Sequence, residues 1–353
     1  MPPDITVVIP TYNRAELLRR SIASVRRQTY GNVTIFVCDN ASTDATQSMV
    51  ADLARQDPRI QYHRQASNIG PIGNGLFALQ QVRTPFFLYL SDDDLMLPDL
   101  LSEAMSWFDR YPEAQFVAGG TLEATHGGKL VFSAQAYWPR EGFFKPPDGL
   151  DLLLGGLHPS WTTTVYRTGV FDLVGPPDQS LPNRLDLDFT LRIACRYPFV
   201  VFRKPSGIFV RHRSQYGESI AAKIVSQYEA MIEYYESIDG LDPVTKEILR
   251  KGLERHMVKC VQQVAVKELL RGEAAQALQT LDSYHDRGYR REPLSSFISS
   301  VAVAGKLCPP ALGVLRPLET LRRAVQARSS RAAARRNGLQ AGKIDEALAF
   351  LKS

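Results

Sequence analysis

The stretch Phe86-Phe87-Leu88-Tyr89-Leu90-Ser91-Asp92-Asp93-Asp94 runs from an apolar segment directly into three consecutive acids. The apolar residues predict a buried β-strand, and the acids follow where that strand ends. Adjacent carboxylates repel one another, and the end of a buried strand offers little water to screen the repulsion. A turn with a helix N-cap would account for one or two of the aspartates. A hard cation accounts for the cluster better, because Mg²⁺ or Mn²⁺ takes oxygen ligands and completes its shell with phosphates and water.

Outward from this strand, short apolar runs alternate with helical patterns in the first half of the chain. Ile5–Ile9 is a β-branched run, and Ala15–Arg27 after it carries apolar residues at helical spacing. Further strands are predicted at Val33–Val37 and Ile60–His63. This alternation predicts an α/β fold with a mostly parallel, Rossmann-like sheet and helices on both faces. In such sheets ligands bind beyond the carboxyl ends of the strands, where the acids lie.

Polar groups also follow the first two predicted strands. Thr11 can present its hydroxyl or backbone to a ligand, and Asp39 can accept a hydrogen bond from a base N–H. Both groups suit a nucleotide. Asp44 lies further along the second loop, and for this residue helix capping is the favoured interpretation.

The second half of the chain is irregular at first and then almost entirely helical. Its irregular part carries one predicted helix, at Asp186–Arg196. It also carries three predicted strands, at Trp161–Arg167, Phe199–Arg203 and Gly207–Val210. From about residue 217 onward the pattern predicts a helical extension at the C-terminal end.

Charge is unevenly distributed along the chain. Residues 1–220 carry 21 Lys and Arg against 22 Asp and Glu, whereas residues 221–353 carry 21 against 15. Much of the excess lies in residues 319–336, ETLRRAVQARSSRAAARR. Because the excess is confined to the tail, the net charge of +5 does not indicate a nucleic-acid partner, and none is expected. The basic segment could contact an anionic membrane surface, bind a protein partner or form a solvated helix face.

Composition excludes several other classes of protein. With 44% hydrophobic and 22% charged residues, the chain is expected to fold rather than remain disordered. Its four cysteines are scattered without CxxC spacing, which excludes a disulfide scaffold. The N-terminus lacks the pattern of a signal peptide, and no window approaches the roughly 20 apolar residues of a membrane span. We therefore expect a cytoplasmic protein, which the basic segment could bring to the inner face of the membrane.

Four motifs together resemble the nucleotide-binding half of family 2 glycosyltransferases with the GT-A fold. They are VVIPTYNR (7–14), VCDNASTD (37–44), SNIGPIGNG (67–75) and LSDDDLMLPDLL (90–101). The motifs match in order and spacing over about the first 120 residues. The resemblance implies a GT-A domain of residues 1–218, with a nucleotide-sugar-binding part (1–120) and an acceptor and catalytic part (121–218). A helical C-terminal domain, residues 219–353, would follow.

The same resemblance implies roles for individual residues. Asp93 would bind a divalent Mn²⁺ or Mg²⁺, Asp92 would lie near the ribose, and Asp94 would be the third member of the metal cluster. Ser91 stands where many members carry the first aspartate of the motif. Related enzymes commonly supply a late histidine to this metal, and His212 is the candidate, the alternative being a surface or packed histidine. The nucleotide sugar would be bound by residues of all four motifs: Pro10, Thr11, Tyr12, Arg14, Asp39, Asn68, Gly70, Asn74 and Asp92.

A further acidic site lies in the sequence LDLDFTLR (185–192). By the resemblance, Asp186 takes the place of the catalytic general base, and Leu185 stands where a glutamate is usual. Asp188 is two positions later and points to a different face of the helix, so only one of the two can face the sugar. The alternative is an acid-rich helix N-terminus, which the helix dipole favours whatever the function.

These expectations combine into an inverting, metal-dependent glycosyltransferase. It would move a sugar from a nucleotide diphosphate sugar, with UDP or dTDP as the expected nucleotide, to a hydroxyl of a glycan, a lipid-linked acceptor or a small molecule. Its products would serve cell-surface polysaccharide or glycoconjugate synthesis. The alternatives are a nucleotidyltransferase, which would release pyrophosphate, and a non-catalytic sugar-nucleotide-binding or scaffold protein.

Overall fold

The structure, a computed structural model, describes residues 4–125, 127–132, 138–181, 184–211, 221–289 and 293–307, together with residues 328 and 332. These residues form two compact units. The described residues of 4–149 and 157–211 belong to the first unit, and those of 150–156 and 221–307 belong to the second. The predicted domain boundary between residues 218 and 219 lies outside the described residues.

Within the described residues, ten strands form one sheet in the first unit. They are β1 (Ile5–Thr11), β2 (Val33–Asp39), β3 (Ile60–Arg64), β4 (Phe86–Tyr89), β5 (Leu95–Met96), β6 (Phe116–Thr125), β7 (Leu130–Phe132), β8 (Gly142–Phe144), β9 (Thr164–Arg167) and β10 (Phe199–Arg211). Their order across the sheet is β3-β2-β1-β4-β9-β6-β10-β5, with β7 on β6 and β8 on β10. Strands β3, β2, β1 and β4 are parallel, as are β6 and β10, and β9 joins the two groups by antiparallel pairing.

Helices cover this sheet in the first unit and make up most of the second. The first unit contains α1 (Ala15–Arg26), α2 (Thr46–Gln56), α3 (Pro71–Gln80), α4 (Leu100–Arg110), α6 (Val170–Val174) and α7 (Leu185–Ala194). The second contains α5 (Leu150–Leu152), α8 (Ala221–Ser237), α9 (Pro243–Arg271), α10 (Ala274–His285) and α11 (Pro293–Leu307). No helix of the described residues is long and apolar enough to cross a membrane.

Strand β1 shows why the first apolar run is continuous. Ile5, Val7 and Ile9 are fully buried in one core with residues of α1, α2 and α4. Val8 points to the opposite face and is fully buried as well. A parallel sheet with both faces covered selects apolar residues at successive positions rather than at alternate ones. The predicted α/β fold with a mostly parallel sheet and C-terminal helices is confirmed.

The second unit is a helical assembly with buried polar pairs in its core. Its longest helix, α9, begins after Asp242, whose side chain accepts a hydrogen bond from the Thr245 amide. The helix ends at Gly272, whose left-handed φ of 87° suits glycine because it has no Cβ. Inside the unit the Tyr228 hydroxyl lies 3.1 Å from Nδ1 of His256. Hydrogen-bonded pairs of this kind satisfy polar groups that burial would otherwise leave without water.

Two predicted strand assignments differ from the structure. The predicted strands at 199–203 and 207–210 are one strand, β10, whose register with β6 shifts on either side of Pro205. Proline has no amide hydrogen and cannot donate to the neighbouring strand. A β-bulge at this residue allows the pairing of β10 with β6 to continue beyond it. In the predicted strand 161–167, residues Trp161–Thr163 form a 3₁₀ turn, and β9 begins only at Thr164.

Candidate active site

The carboxyl ends of neighbouring parallel strands bring the predicted polar segments to one edge of the sheet. Thr11 of β1 pairs in register with Asp39 of β2, and Asp39 pairs with Arg64 of β3. On the other side of β1, the Leu90 amide donates to the Val8 carbonyl at 2.9 Å, just before the acids. Strand register therefore places the first, second and fourth motifs side by side.

Asp92 and Asp93 form a largely buried acidic pair at this edge. The Thr11 hydroxyl donates to Oδ2 of Asp92 at 2.8 Å. One guanidinium nitrogen of Arg14, Nη1, lies 3.0 Å from Oδ1 of Asp92 and 3.1 Å from Oδ2 of Asp93. The aspartate side chains are only 7% and 12% exposed, whereas that of Arg14 is 40% exposed.

Asp94 faces away from this pair and into the protein. Its Oδ2 accepts a 2.5 Å hydrogen bond from the Thr162 hydroxyl, and its Oδ1 accepts from the Val210 amide at 2.8 Å. Both oxygens are thus engaged by the chain itself, which makes Asp94 an anchor between three segments. Its predicted place as a direct metal ligand stays a prediction, and this geometry favours Asp92 and Asp93 for that role.

Burial raises the pKa values of all three acids, and repulsion by Asp93 adds to this effect at Asp92 and Asp94. Burial and the charge of Asp93 raise the pKa of Asp92 to about 6, against the opposing effects of Arg14 and Thr11. Burial also raises the pKa of Asp93, with Arg14 acting against it. Burial, and after it the charge of Asp93, raises the pKa of Asp94 well above its usual range. A divalent cation would relieve this repulsion.

The donor set of the acidic pair fits a hard cation. Among the described residues, no group of three or more His, Cys, Asp or Glu side chains forms a complete metal cage. Asp92 and Asp93 supply carboxylate oxygens, the ligands that Mg²⁺ and Mn²⁺ prefer. Magnesium sites commonly consist of one or two carboxylates with the remaining ligands from phosphate and water. His212 lies outside the described residues, so its role stays a prediction, and the adjacent Arg211 pairs with Glu123 at 2.5 Å.

The loop between β1 and α1 is held in place by the loop after β2. Asn13 has a left-handed φ of 52°, and its amide donates to the Ser42 hydroxyl at 2.9 Å. Its side-chain oxygen accepts from the Thr43 amide at 2.7 Å. Asp44 accepts from the amides of Ala15 and Thr46, the first residues of α1 and α2, as expected of a capping residue. These contacts fix the backbone from which Arg14 extends.

Asp39, the predicted base-binding residue, is fully buried at the end of β2. Its Oδ1 accepts from the amide and hydroxyl of Ser42, at 2.9 and 2.5 Å. Its Oδ2 accepts from the Tyr62 hydroxyl at 2.6 Å and lies 3.8 Å from Nε of Arg64. Burial and this hydrogen bond raise the pKa of Tyr62, so the hydroxyl remains a donor. Tyr62 and Arg64 come from β3, and no motif singled them out in the sequence.

Residues of the third motif form hydrogen bonds with the end of β2 and the loop after it. Asn68 Oδ1 accepts from the Asn40 side chain at 2.9 Å and from the Gly70 amide at 2.8 Å. Asn74 is 1% exposed, and its side-chain nitrogen Nδ2 donates to the Cys38 carbonyl at 2.8 Å. Gly70 has a φ of 79°, a conformation that favours glycine, directly before α3. Asn68, Gly70 and Asn74 therefore shape the edge, while their contact with a nucleotide sugar stays a prediction.

Two further predicted residues lie in the first motif. Pro10 pairs in register with Cys38 near the end of β1, and a proline there is compatible with the strand because it is close to the strand's end. Tyr12 is 43% exposed, a high value for a large aromatic side chain. An exposed ring at the sheet edge is available to a ligand.

Asp186 and Asp188 occupy different surroundings in the first turn of α7. The Asp188 side chain is 3% exposed and its Oδ2 lies 2.8 Å from Nε of Arg192. The Asp186 side chain is 42% exposed, and its Oδ2 lies 3.5 Å from Nε2 of His158. Of the two carboxylates, only Asp186 is accessible to an acceptor, and His158 is a partner that the sequence did not reveal.

His158 lowers the pKa of Asp186. Partial burial acts to raise this pKa, but the hydrogen bond and charge of His158, the Leu187 amide and the charge of Arg184 together hold it below its ordinary value. A carboxylate in this state is ionised at neutral pH and can accept a proton.

The segment from His158 to Thr162 connects Asp186 to the acids. Four residues of extended chain span at most about 14 Å, so the histidine beside Asp186 and the threonine bonded to Asp94 are close neighbours. Between them, Trp161 packs against Tyr89 of β4 and Phe189 of α7, with ring centroids 4.7 and 6.2 Å apart. The fold thus brings Asp186 to the same part of the first unit as Asp94.

Residues 6–172 are similar to known glycosyltransferases. The family model described as glycosyl transferase family 2 matches residues 6–172, which include all four motifs and the segment that carries His158. The matched segment, a little under half of the chain, is therefore similar to glycosyl transferase family 2. A curated relative is the GalNAc(5)-diNAcBac-PP-undecaprenol beta-1,3-glucosyltransferase of Campylobacter jejuni, 38% identical over 104 residues, which are 29% of this chain and 34% of the relative. The chain spans about a third or less of the length of the first curated relatives that it matches.

Solved structures share the fold of this chain at low sequence identity. The crystal structure of S. aureus TarS 1-349 in complex with UDP has a TM-score of 0.60 at 17% identity, covering 85% of this chain and 88% of that one. The mannosyltransferase PcManGT from Pyrobaculum calidifontis, in complex with GDP-Man and Mn²⁺, has a TM-score of 0.52 at 18% identity, covering 96% and 87%. The expected GT-A fold is confirmed.

Proposed function

We propose that this chain is an inverting glycosyltransferase that uses a divalent metal and moves a sugar from a nucleotide diphosphate sugar to an acceptor hydroxyl. The observation that carries the proposal is the pairing of a buried acidic pair, Asp92 and Asp93, with an accessible carboxylate, Asp186, in one unit of the fold. The acidic pair is suited to bind a cation together with a diphosphate. The accessible carboxylate of Asp186 is suited to act as a proton acceptor. The similarity of residues 6–172 to family 2 supports the same reaction class.

The metal, Mn²⁺ or Mg²⁺, would be held by Asp93 with Asp92 beside it, and His212 is proposed as a further ligand. When bound, such an ion neutralises the charge that develops on the leaving diphosphate. Thr11 holds Asp92 in place through its hydroxyl. Asp94 fixes the end of β10, two residues before His212, through the Val210 amide.

The donor would lie along the edge formed by β1, β2 and β3. Asp39 is proposed to receive a base N–H; its oxygens already accept from Ser42 and Tyr62, so the base would add a further donor to a carboxylate that is buried in this structure. Tyr12 offers an exposed ring at the same edge. We propose a UDP-sugar or dTDP-sugar as the donor, and the UDP in the TarS structure is compatible with this choice.

Asp186 is proposed to take the proton of the acceptor hydroxyl while its oxygen attacks the anomeric carbon from the face opposite the leaving group. This single displacement inverts the configuration at that carbon. The Leu187 amide donates to Oδ1 of Asp186 at 2.8 Å, and His158 lies at the other oxygen, so the carboxylate is held from both sides. Proton transfer of this kind contributes roughly 10²–10⁴ in rate.

A lipid-linked glycan is the acceptor that we favour, for cell-surface polysaccharide or glycoconjugate synthesis. The Campylobacter relative is named for a PP-undecaprenol-linked glycan. The basic segment 319–336 would hold the protein at the inner, anionic face of the membrane, where each Lys or Arg contributes roughly 1 kcal/mol. Co-sedimentation with anionic liposomes, with and without residues 319–353, tests this contact, and equal binding by both forms would exclude it.

The proposal is tested with a panel of sugar nucleotides, Mn²⁺ or Mg²⁺, and detection of the released product. Release of a nucleoside diphosphate is expected. Release of pyrophosphate would instead indicate a nucleotidyltransferase. Saturable binding of a sugar nucleotide with neither product, in the presence of an undecaprenyl-diphosphate glycan mixture, would indicate a non-catalytic binding protein.

A further inference from the structure

Arg14 bridges Asp93, a proposed metal ligand, and Asp92 beside it. Its single nitrogen Nη1 contacts Asp92 Oδ1 and Asp93 Oδ2, at 3.0 and 3.1 Å. Since the acids are 7% and 12% exposed and the arginine is 40% exposed, the guanidinium lies on the solvent side of the pair. A ligand that approaches the acids from solvent therefore meets Arg14 first.

The backbone of Arg14 is fixed, whereas its side chain can move. The Arg14 carbonyl accepts from the Leu18 amide at 2.9 Å at the start of α1. The preceding residue, Asn13, is held by Ser42 and Thr43 in the neighbouring loop. Movement of the long arginine side chain requires no change in these contacts.

A guanidinium and a divalent ion cannot both occupy the space between two carboxylates, because they are of like charge and seek the same oxygen atoms. Diphosphate oxygens are favourable new partners for an arginine that leaves the acids. We propose that Arg14 is a resident counter-ion of the acidic pair, which the divalent ion displaces, and that the displaced guanidinium then pairs with the diphosphate of the donor. The inference rests on the metal and donor sites of the proposed function, and not on sugar transfer itself.

The first test measures Mn²⁺ binding alone by calorimetry. Arg14→Gln removes the competing cation, so we expect its Kd for Mn²⁺ to be about fivefold lower than that of the unmodified protein. Arg19→Gln is the matched control, because Arg19 lies on α1, the helix that begins directly after Arg14, and pairs only loosely with Glu16, at 3.7 Å. In the double variant R14Q/D93N the gain in Mn²⁺ affinity should vanish, because the proposed metal ligand Asp93 is removed.

Several results of this titration would overturn the inference. Equal Mn²⁺ affinity with and without Arg14, or no Mn²⁺ binding by either protein, would show that Arg14 does not compete with a metal. An equal gain in Arg19→Gln would show that net charge, rather than direct competition, controls the affinity.

The second test adds UDP at saturating Mn²⁺. Arg14→Gln should bind UDP about fivefold more weakly, since a guanidinium–phosphate contact is lost. An unchanged UDP affinity would exclude transfer of Arg14 to the diphosphate.

A crystal of the unmodified protein soaked with Mn²⁺ and UDP provides a check that needs no variant. Arg14 Nη1 should lie beyond hydrogen-bond distance of Asp92 and Asp93. An arginine that still bridges both acids beside a bound metal would refute displacement. A failure of sugar transfer with these results intact would refute the proposed function and leave this inference standing.

Discussion

Thr162 and Asp94 lie 68 positions apart in the sequence and are joined by a 2.5 Å hydrogen bond from the threonine hydroxyl to the aspartate. The other oxygen of Asp94 accepts from the Val210 amide. One buried carboxylate therefore ties the acidic motif to the segment that carries His158 and to the strand that leads toward His212. Asp94 therefore joins three segments of the candidate active site.

Replacement of Thr162 by valine should destabilise the first unit. Valine keeps the shape but leaves Oδ2 of Asp94 without its donor in a buried site, which costs about 1–3 kcal/mol of unfolding free energy. Urea unfolding at pH 7 measures the change. Thr162→Ser keeps the hydroxyl and is the control, and equal stability of the valine variant and the unmodified protein would contradict the anchoring role.

Asp186→Asn should reduce turnover by roughly 10²–10⁴ without loss of UDP binding. The amide cannot accept the acceptor's proton, whereas the nucleotide edge is built from other segments. Steady-state rates and calorimetry measure the two effects. Asp172→Asn, an exposed aspartate on α6, serves as the control and should leave both unchanged. Normal turnover in Asp186→Asn would remove this residue from the role of base.

His158→Phe should move the acid limb of the kcat profile to higher pH. His158 lowers the pKa of Asp186, and without it the opposing effect of burial raises that pKa. The base is then protonated over more of the acidic range, so activity appears only at higher pH. His158→Gln retains a hydrogen-bond donor without the charge and should give an intermediate profile. An acid limb that stays in place would show that His158 does not influence the base.

Asp93→Asn should abolish the dependence of UDP affinity on Mn²⁺. An amide oxygen is a weaker ligand for a hard cation than a carboxylate, and the variant also removes one partner of Arg14. Calorimetry with and without Mn²⁺ gives the comparison. Asp109→Asn, an exposed aspartate at the end of α4, is the control. Retention of metal-dependent affinity in Asp93→Asn would place the metal elsewhere.

Much of the sheet and the location of its acidic edge could be predicted from the sequence. Ile5–Ile9 and Phe86–Leu90 are nearly continuous apolar runs. A strand that is buried on both faces has this pattern because side chains on each face contact the core, so the strand can be predicted from its own residues. The irregular middle of the chain was predicted less well. Pro205 interrupts the local pattern of β10 without ending the strand, because pairing with β6 continues on both sides.

The sequence by itself determined the α/β class and the acids that follow β4, since each depends on periodicity or on neighbours within a few residues. The choice of Asp186 over Asp188 came from the family resemblance and stays a prediction. Only the tertiary structure decided that His158 lies beside Asp186, that Thr162 and Val210 bind Asp94, and that Arg14 bridges Asp92 and Asp93. These contacts join segments far apart in the chain. Their distances are set by strand register and helix packing, which no local pattern of residues encodes.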